Sequence, residues 1–337
     1  MATKDETIKY WQEREKVYID KALKDQKSLA NESVKRFESL IIDIQAQIDE
    51  WFRKYATEQG ISMAEAKKRV ADADIARLQK RAKKIVAMKD ISPMANEEMR
   101  IYNLTMRINR YQYLMSDIGI TLAEFFSEEE AFLYEKFNEL AIEEEAKQSA
   151  ILGENVRGSA RQIDEVVRGS YQVAGSGVVI WSESLWASQK LLKNILDREL
   201  TQAIILGENP YKVSQRIRKA MQVSKYVADR LARTEMARIQ GEIQTRSYEK
   251  ADVDKYIFIA EPTACESCEH LDGRIFGVAN KRIGKNFQPI HPNCRCSTAP
   301  YIDRDEIMAK LEGKKPPKEA KLYGDKAYKD KKEARGS

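Results

Sequence analysis

Residues 34–55 read VKRFESLIIDIQAQIDEWFRKY, and their apolar side chains recur at alternating intervals of three and four positions. That period places the side chains on one face of an α-helix. Such a face either buries against a neighbouring helix of the same chain or docks on another protein. We call it the heptad seam, and it consists of Val34, Phe37, Ile41, Ile44, Ile48, Trp51 and Tyr55.

The composition extends this helical prediction to most of the chain. Its 337 residues are 42% apolar and 33% charged, with only 8 Pro and 15 Gly. So few turn-forming residues argue against an all-β sandwich or barrel, and the length favours two domains. We predict a mainly α protein with a small α+β carboxyl-terminal region. A long-helix amino-terminal domain is followed by a helical domain that carries a small β unit.

Glycine marks the predicted domain boundary. Five of the 15 Gly lie between Gly153 and Gly177, which indicates a loose connector. The predicted organisation is a helical amino-terminal domain at 1–152, a Gly-rich connector at 153–180, a second domain at 181–303, and a basic, disordered tail at 304–337.

Local residue types indicate where several helices begin. Ser62 and Thr121 each precede a Glu by three residues, which is the capping-box pattern. Asn209 followed by Pro210 predicts the start of another helix. Ser224 predicts the start of the next one.

After residue 250 the pattern changes from helical to extended. The run Tyr256–Ala260 is short, aromatic and β-branched, as is typical of a buried strand. The pair Asp272-Gly273 is a turn signal. We therefore predict a small β unit between about residues 253 and 302.

All four cysteines lie in this β unit, in Cys265-Glu-Ser-Cys268 and in His291-Pro-Asn-Cys294-Arg-Cys296. Zinc takes four Cys or His ligands in a tetrahedron, and the first spacing lets two thiolates of one turn reach the same ion. We predict a structural zinc ion that cross-links the loops of the β unit. Its ligands would be Cys265, Cys268 and Cys294 with either Cys296 or His291. The alternatives are a reduced or redox-active thiol cluster, and a disulfide between Cys265 and Cys268 or across the hairpin.

The excess positive charge lies at the carboxyl end. The net charge is +5, and residues 314–337 alone hold nine basic and four acidic residues, so the rest of the chain is neutral. A basic tail with interleaved tyrosines can neutralise phosphates and stack on bases, and the alternative is a disordered, solubilising terminus. The predicted nucleic-acid-binding residues are Lys314, Lys315, Lys318, Lys321, Lys326, Lys329, Lys331, Lys332 and Arg335.

Other features argue against export, membrane insertion and catalysis. The opening MATKDETIKYWQER mixes charges of both signs, unlike a signal peptide, and the uncharged run 169–182 is too short to span a membrane. We therefore expect cytoplasmic synthesis without membrane contact. His270, Glu266 and Glu269 are interpreted as solvated loop residues, and we predict no catalytic residue and no enzymatic activity.

Four separated motifs then occur in a recognisable order. They are the helix joint Gly207-Glu208, the triplet Arg233-Thr234-Glu235, CESC followed by Leu271-Asp272-Gly273, and HPNCRC. Over roughly residues 180–302, this order resembles the Mu F-like minor head, or head morphogenesis, proteins of tailed bacteriophages.

The resemblance implies a virion protein that is present in few copies and acts in head assembly and DNA delivery. Its implied partners are the phage portal protein and packaged double-stranded DNA, with a scaffold or major capsid protein as a further partner. The implied location is inside the head near the portal, after synthesis in the host bacterial cytoplasm. Carried over by position, Arg233, Thr234 and Glu235 buttress the β unit, and Asp272 and Gly273 form its supporting turn.

Two other classes of function stay open at this point. A zinc-dependent enzyme such as a nuclease would need spare His or carboxylate groups at ligand spacing in the cysteine loops. A cellular zinc-ribbon factor that binds nucleic acid would concentrate basic residues in the ribbon. By the resemblance, the assembly on which the heptad seam would dock is the portal.

Overall fold

The computed structural model describes residues 4–56, 61–87, 109–169, 171–172 and 178–302. These ranges are mainly helical and contain a three-stranded antiparallel sheet towards the carboxyl end. The predicted fold class, mainly α with a small α+β carboxyl-terminal region, is therefore confirmed.

The helices and strands have the following bounds. The helices are α1 (Lys4–Tyr55), α2 (Met63–Ala66), α3 (Asp72–Ala87), α4 (Arg110–Leu152), α5 (Ala160–Arg168), α6 (Trp181–Leu206), α7 (Pro210–Lys250) and α8 (Glu266–Glu269). The strands are β1 (Tyr171–Gln172), β2 (Val178–Val179), β3 (Lys255–Ile259), β4 (Ile275–Gly277) and β5 (Ser297–Tyr301).

The chain forms two compact units, each assembled from separated stretches of sequence. The first, which we call the sheet unit, comprises Met1–Leu29, Tyr134–Trp181 and Arg230–Ser337. The second, the helical unit, comprises Ala30–Leu133 and Ser182–Asp229. Helices α1, α4 and α7 each contribute residues to both units. The domain boundaries proposed from the sequence at residues 152, 180 and 303 stay a prediction.

Most of the heptad seam is buried inside the helical unit. Ile44 and Ile48 have no exposed area, and the ring of Phe37 meets those of Phe125 and Phe126 on α4 at centroid distances of 4.7 and 5.8 Å. Such edge-on ring contacts add to the stabilisation that burial provides. The seam therefore packs within the chain. Its interpretation as a docking surface for another protein is wrong, because five of its seven side chains are buried and the other two, Val34 and Tyr55, are half-buried.

Some predicted helix boundaries hold and others do not. The Ser62 hydroxyl accepts from the Glu65 N–H at 3.2 Å and caps α2, and α7 begins at Pro210 as predicted. Thr121 lies in the middle of α4, where its hydroxyl donates to the Asp117 carbonyl at 3.2 Å. Helix α7 likewise runs through Ser224 without interruption. The predictions that these two hydroxyl residues begin helices are therefore wrong.

The sheet has the strand order β4-β3-β5, and both of its faces are apolar. Alternate residues of a strand face opposite sides, so Tyr256 and Phe258 of β3 pack on one side with Tyr248 of α7. Ile257 and Ile259 pack on the other side with Ile19 of α1. The sheet is therefore covered by α7 on one face and by the first half of α1 on the other.

A buried polar network fixes α1 to its neighbours within the sheet unit. Glu15 of α1 pairs with Lys147 of α4 at 2.8 Å, and Lys147 also lies 3.5 Å from Glu144. The amide of Gln244 on α7 donates at 2.9 Å both to Glu144 and to the hydroxyl of Ser297 on β5. Because unpaired buried charges are strongly destabilising, this network favours one placement of α1 on the sheet.

The cover that α1 provides can be tested with a matched pair of substitutions on that helix. Ile19→Ala should lower the free energy of unfolding by about 2–5 kcal/mol, because it leaves a cavity against the sheet. Ile19 is only 2% exposed, whereas Val17 on the same helix is 69% exposed, so Val17→Ala should cost less than about 0.5 kcal/mol. The measurement is urea unfolding of both variants. Equal midpoints would show that α1 does not cover the sheet.

Candidate metal centre

The five candidate ligands come from two short turns of the sheet unit. Cys265 precedes α8, and the Cys268 N–H donates to the Cys265 carbonyl at 3.0 Å, so this segment forms a single helical turn. In the second segment the Cys294 N–H donates to the His291 carbonyl at 3.0 Å, before the chain enters β5. The thiols of Cys268, Cys294 and Cys296 belong to the same core cluster as the sheet residues.

The His291 ring is oriented towards the first turn. Its Nε2 atom lies 3.1 Å from the sulfur of Cys265 and 3.2 Å from that of Cys268. Its Nδ1 atom lies 2.8 Å from the Pro292 carbonyl oxygen. Because a carbonyl oxygen only accepts, Nδ1 carries the hydrogen, and Nε2 of the neutral ring keeps its lone pair. A backbone carbonyl orients metal-binding histidines in this way.

The thiols form a second group that overlaps the first. Cys265, Cys268 and His291 make one set whose ligand atoms all lie within 4.8 Å of one another, and Cys268, Cys294 and Cys296 make another. Cys268 belongs to both sets. All four cysteines are free thiols, so neither of the disulfides considered from the sequence is formed.

The donor set and its spacing fit a tetrahedral metal ion. Two thiolates on one zinc ion lie about 3.8 Å apart when each Zn–S bond is about 2.3 Å, which is within the 4.8 Å limit of both sets. Thiolates with an imidazole suit zinc and other soft or borderline metals. The cluster can therefore bind a metal ion. Five donors are one more than a tetrahedral ion takes.

Electrostatics within the cluster favour ionisation of two of its four thiols. Hydrogen bonds from the Cys268 and Cys296 thiols lower the pKa of Cys294 to about 2. Burial opposes ionisation of Cys265, but hydrogen bonds from the backbone and side chain of Cys268 lower the pKa of Cys265 below its usual value. Hydrogen bonds with Cys294 and Cys296 raise the pKa of Cys268. The pKa of Cys296 is lowered by its hydrogen bond with Cys268 but raised by that with Cys294 and by burial, to about 12 overall. Because the thiolate is the form that binds metals, Cys265 and Cys294 are the thiols most readily available to an ion.

Comparison with known proteins finds one family over this part of the chain. Residues 194–299 match the family model described as Phage Mu protein F like protein. This segment is Mu F-like. The resemblance inferred from the four motifs is therefore confirmed over this segment. No curated protein and no solved structure matches the chain.

All five candidate ligands lie inside the Mu F-like segment, and so do the supporting residues proposed from the sequence. Thr234 of α7 donates its hydroxyl hydrogen to the Arg230 carbonyl at 2.7 Å and accepts from the Asn293 N–H at 3.1 Å. Asn293 has a φ of 65°, a conformation that Asn tolerates better than most residues. Thr234 therefore ties the turn between His291 and Cys294 to α7.

Glu235 pairs with Arg238, a residue that was not predicted from the sequence. The Arg238 guanidinium donates to Glu235 at 2.6 Å and to the carbonyls of Val166 and Val167 at 3.0 and 3.2 Å. Both members of this ion pair are buried. Through Arg238, Glu235 therefore fixes the end of α5. Arg233 is half-buried on the same helix.

The predicted turn at Asp272-Gly273 joins α8 to β4. The Asp272 carboxylate accepts from the Ala260 N–H at 2.9 Å and from the Gln12 amide of α1 at 3.1 Å. Gly273 has a φ of 68°, and its N–H donates to the Phe258 carbonyl at 2.9 Å. A side chain would be strained at that φ, so glycine suits the turn.

Three residues interpreted from the sequence as solvated loop residues lie beside the first pair of cysteines. Glu266 and Glu269 are exposed on α8, and His270 is half-buried at its end. The nine basic residues of the tail are outside the described residues. In the part of the chain that the structure describes, no helix is long and apolar enough to cross a membrane.

The shared thiol of Cys268 provides a sharp test of metal binding. Cys268→Ser removes a donor from both sets and should abolish bound metal, whereas Ser267→Ala, one position away on the exposed side, should keep it. Elemental analysis and thiol titration of protein purified under reducing conditions would measure this. A wild-type protein without metal and with four freely titrating thiols would contradict metal binding.

Proposed function

We propose that this chain is a minor head protein of a tailed bacteriophage that acts in head assembly at the portal vertex. The observation that carries the proposal is the Mu F-like match over residues 194–299. In this function the protein lies inside the head, near the portal. It contacts the portal protein and the packaged double-stranded DNA, with a scaffold or major capsid protein as a further partner.

The metal in this proposal is zinc, and its role is structural. Structural zinc sites are closed by four protein ligands, whereas catalytic sites keep one position open. The two overlapping sets of this centre offer five donors between them, and a closed site would take four of these. Bound zinc would cross-link the turn of Cys265 and Cys268 to the turn of His291 and Cys294, with about 10–16 kcal/mol of apparent binding free energy in small sites of this kind.

A structural role also fits the position of the centre in the fold. Cys268, Cys294 and Cys296 are buried among Tyr256 and Phe258 of the sheet. These three donors leave little room for a substrate on the core side of the centre, and a catalytic metal would need access to one. Only Cys265 and His291 lie towards solvent. The proposed function is therefore that of a structural virion component, not an enzyme.

The contact with DNA is assigned to the tail, because its charge accounts for the whole excess of +5. Lysine and arginine side chains bind DNA largely by replacing condensed counterions on phosphates, without reading sequence. Such binding suits a protein that must contact any packaged segment of a genome. The tyrosines at 323 and 328 would add stacking on exposed bases.

Deletion of residues 314–337 tests the DNA contact. The deletion should make the slope of log affinity for duplex DNA against log salt concentration less negative. The expected change is about 0.9 for each phosphate that is no longer neutralised, and at most about 8 for nine cations. Fluorescence anisotropy with a duplex fragment measures this slope. A variant whose tail acids are replaced by the corresponding amides should bind at least as tightly as the wild type. An unchanged slope after deletion would overturn the assignment.

The place in the virion can be tested directly with purified heads. Mass spectrometry should find the chain in few copies, and cross-linking should join it to the portal subunit. The control is a tail-deleted chain, which should still be incorporated, because the tail is assigned to contact with DNA. Purified heads that lack the chain would contradict the proposal, as would cross-links to the major capsid protein without any to the portal.

A further inference from the structure

A buried carboxylate joins the two turns that carry the metal ligands. Glu261 lies between β3 and Cys265 and is only 7% exposed. Its Oε1 atom accepts a hydrogen bond of 2.6 Å from Arg295, which stands between Cys294 and Cys296. The ion pair therefore spans the same gap as the proposed metal.

The second oxygen of this carboxylate is also engaged. Its Oε2 atom accepts from the Thr263 hydroxyl at 2.8 Å and from the Thr263 N–H at 3.3 Å. The carbonyl of Glu261 accepts from the Ala264 N–H at 3.0 Å, which shapes the turn that leads into Cys265. A backbone hydrogen bond from Glu261 also reaches the Cys296 thiol. One residue thus holds both ligand-bearing segments.

The position of Arg295 follows from its two neighbours. Cys294 and Cys296 are both buried, and Arg295 between them is half-exposed, as the alternation of side chains along a roughly extended segment requires. A residue at this position cannot point into the thiol cluster. It is placed to reach across to the preceding turn, where it meets Glu261.

We propose that Glu261 and Arg295 form a positioning pair that holds the two ligand-bearing turns at the separation a metal ion needs. This inference rests on the metal binding in the proposed function. The pair would align the turns before the ion arrives, so that less ordering remains to be done on binding. Its effect should appear as tighter binding and slower release of the metal.

Burial separates this pair from the ordinary surface ion pairs of the chain. Exposed pairs contribute little, and the pair of Arg161 and Glu165 on α5 is of that kind, with side chains 88% and 50% exposed. The Glu261 side chain is 6% exposed in its pair with Arg295. A charge-assisted bond to a buried acceptor is short and directional, as positioning requires.

The test compares two isosteric substitutions in the full-length protein. Glu261→Gln should weaken zinc binding by about 10–100-fold, as substitutions of residues that support metal ligands typically do, and should speed zinc transfer to a chromophoric chelator. Glu269→Gln, an exposed carboxylate on α8 next to Cys268, should behave as the wild type. The absorption of the Co²⁺-loaded forms gives a second readout, because it reports the ligand geometry around the ion.

A double substitution tests whether the two residues act together. Arg295→Gln should weaken zinc binding as Glu261→Gln does, and the double variant should bind no more weakly than either single one, because residues that act as a unit are non-additive. Arg295→Lys keeps the charge and should restore part of the affinity and the Co²⁺ spectrum. Far-UV circular dichroism checks that each variant is folded. If Glu261→Gln does not fold, the comparison of Arg295→Gln with Arg295→Lys shows whether the charge at position 295 supports zinc binding.

The outcomes distinguish this inference from the proposed function. If wild-type protein binds no metal, both the proposed zinc site and the positioning role are wrong. If wild-type protein binds one equivalent while Glu261→Gln and Glu269→Gln release zinc at the same rate, the positioning role is overturned and the zinc site stands. Additive effects of the two single substitutions would also overturn the pairing.

Discussion

The sheet of this protein has two apolar faces, and both must be kept from water. With three strands, in the order β4-β3-β5, it cannot cover itself, and alternation along β3 sends Tyr256 to one side and Ile257 to the other. Helix α7 covers the first face. The second is covered by α1, from the opposite end of the chain, and the buried pair of Glu15 and Lys147 helps to hold α1 in place.

The metal centre is part of the same packing. Three of its thiols lie in the core cluster that α7 and the sheet share, so an ion bound there would tie the loops of that core together. Thr234 anchors one ligand turn to α7, and Asp272 joins the turn after α8 to β3 and α1. The motifs that identify the Mu F-like segment are therefore mainly residues that hold this unit together.

Short-range patterns in the sequence were sufficient to predict much of this unit. The five candidate ligands, the start of α7 at Pro210 and the strand around Ile257 follow from spacing and residue type within a few positions. The prediction for Thr121 was wrong because a hydroxyl within a helix can bond to the preceding turn. Glu15 and Glu261 were not predicted, since their partners lie 132 and 34 positions away along the chain.

The cover that α1 gives to the sheet also has a consequence for synthesis on the ribosome. The segment before residue 30 is translated first, whereas β5, which it must meet, begins at Ser297. At 5–20 residues per second, the early helix waits roughly 15–50 s for that strand to emerge. During this interval Ile19 and its apolar neighbours have no sheet to cover. Until then, the apolar face of α1 is open to chaperones or to pairing with another copy.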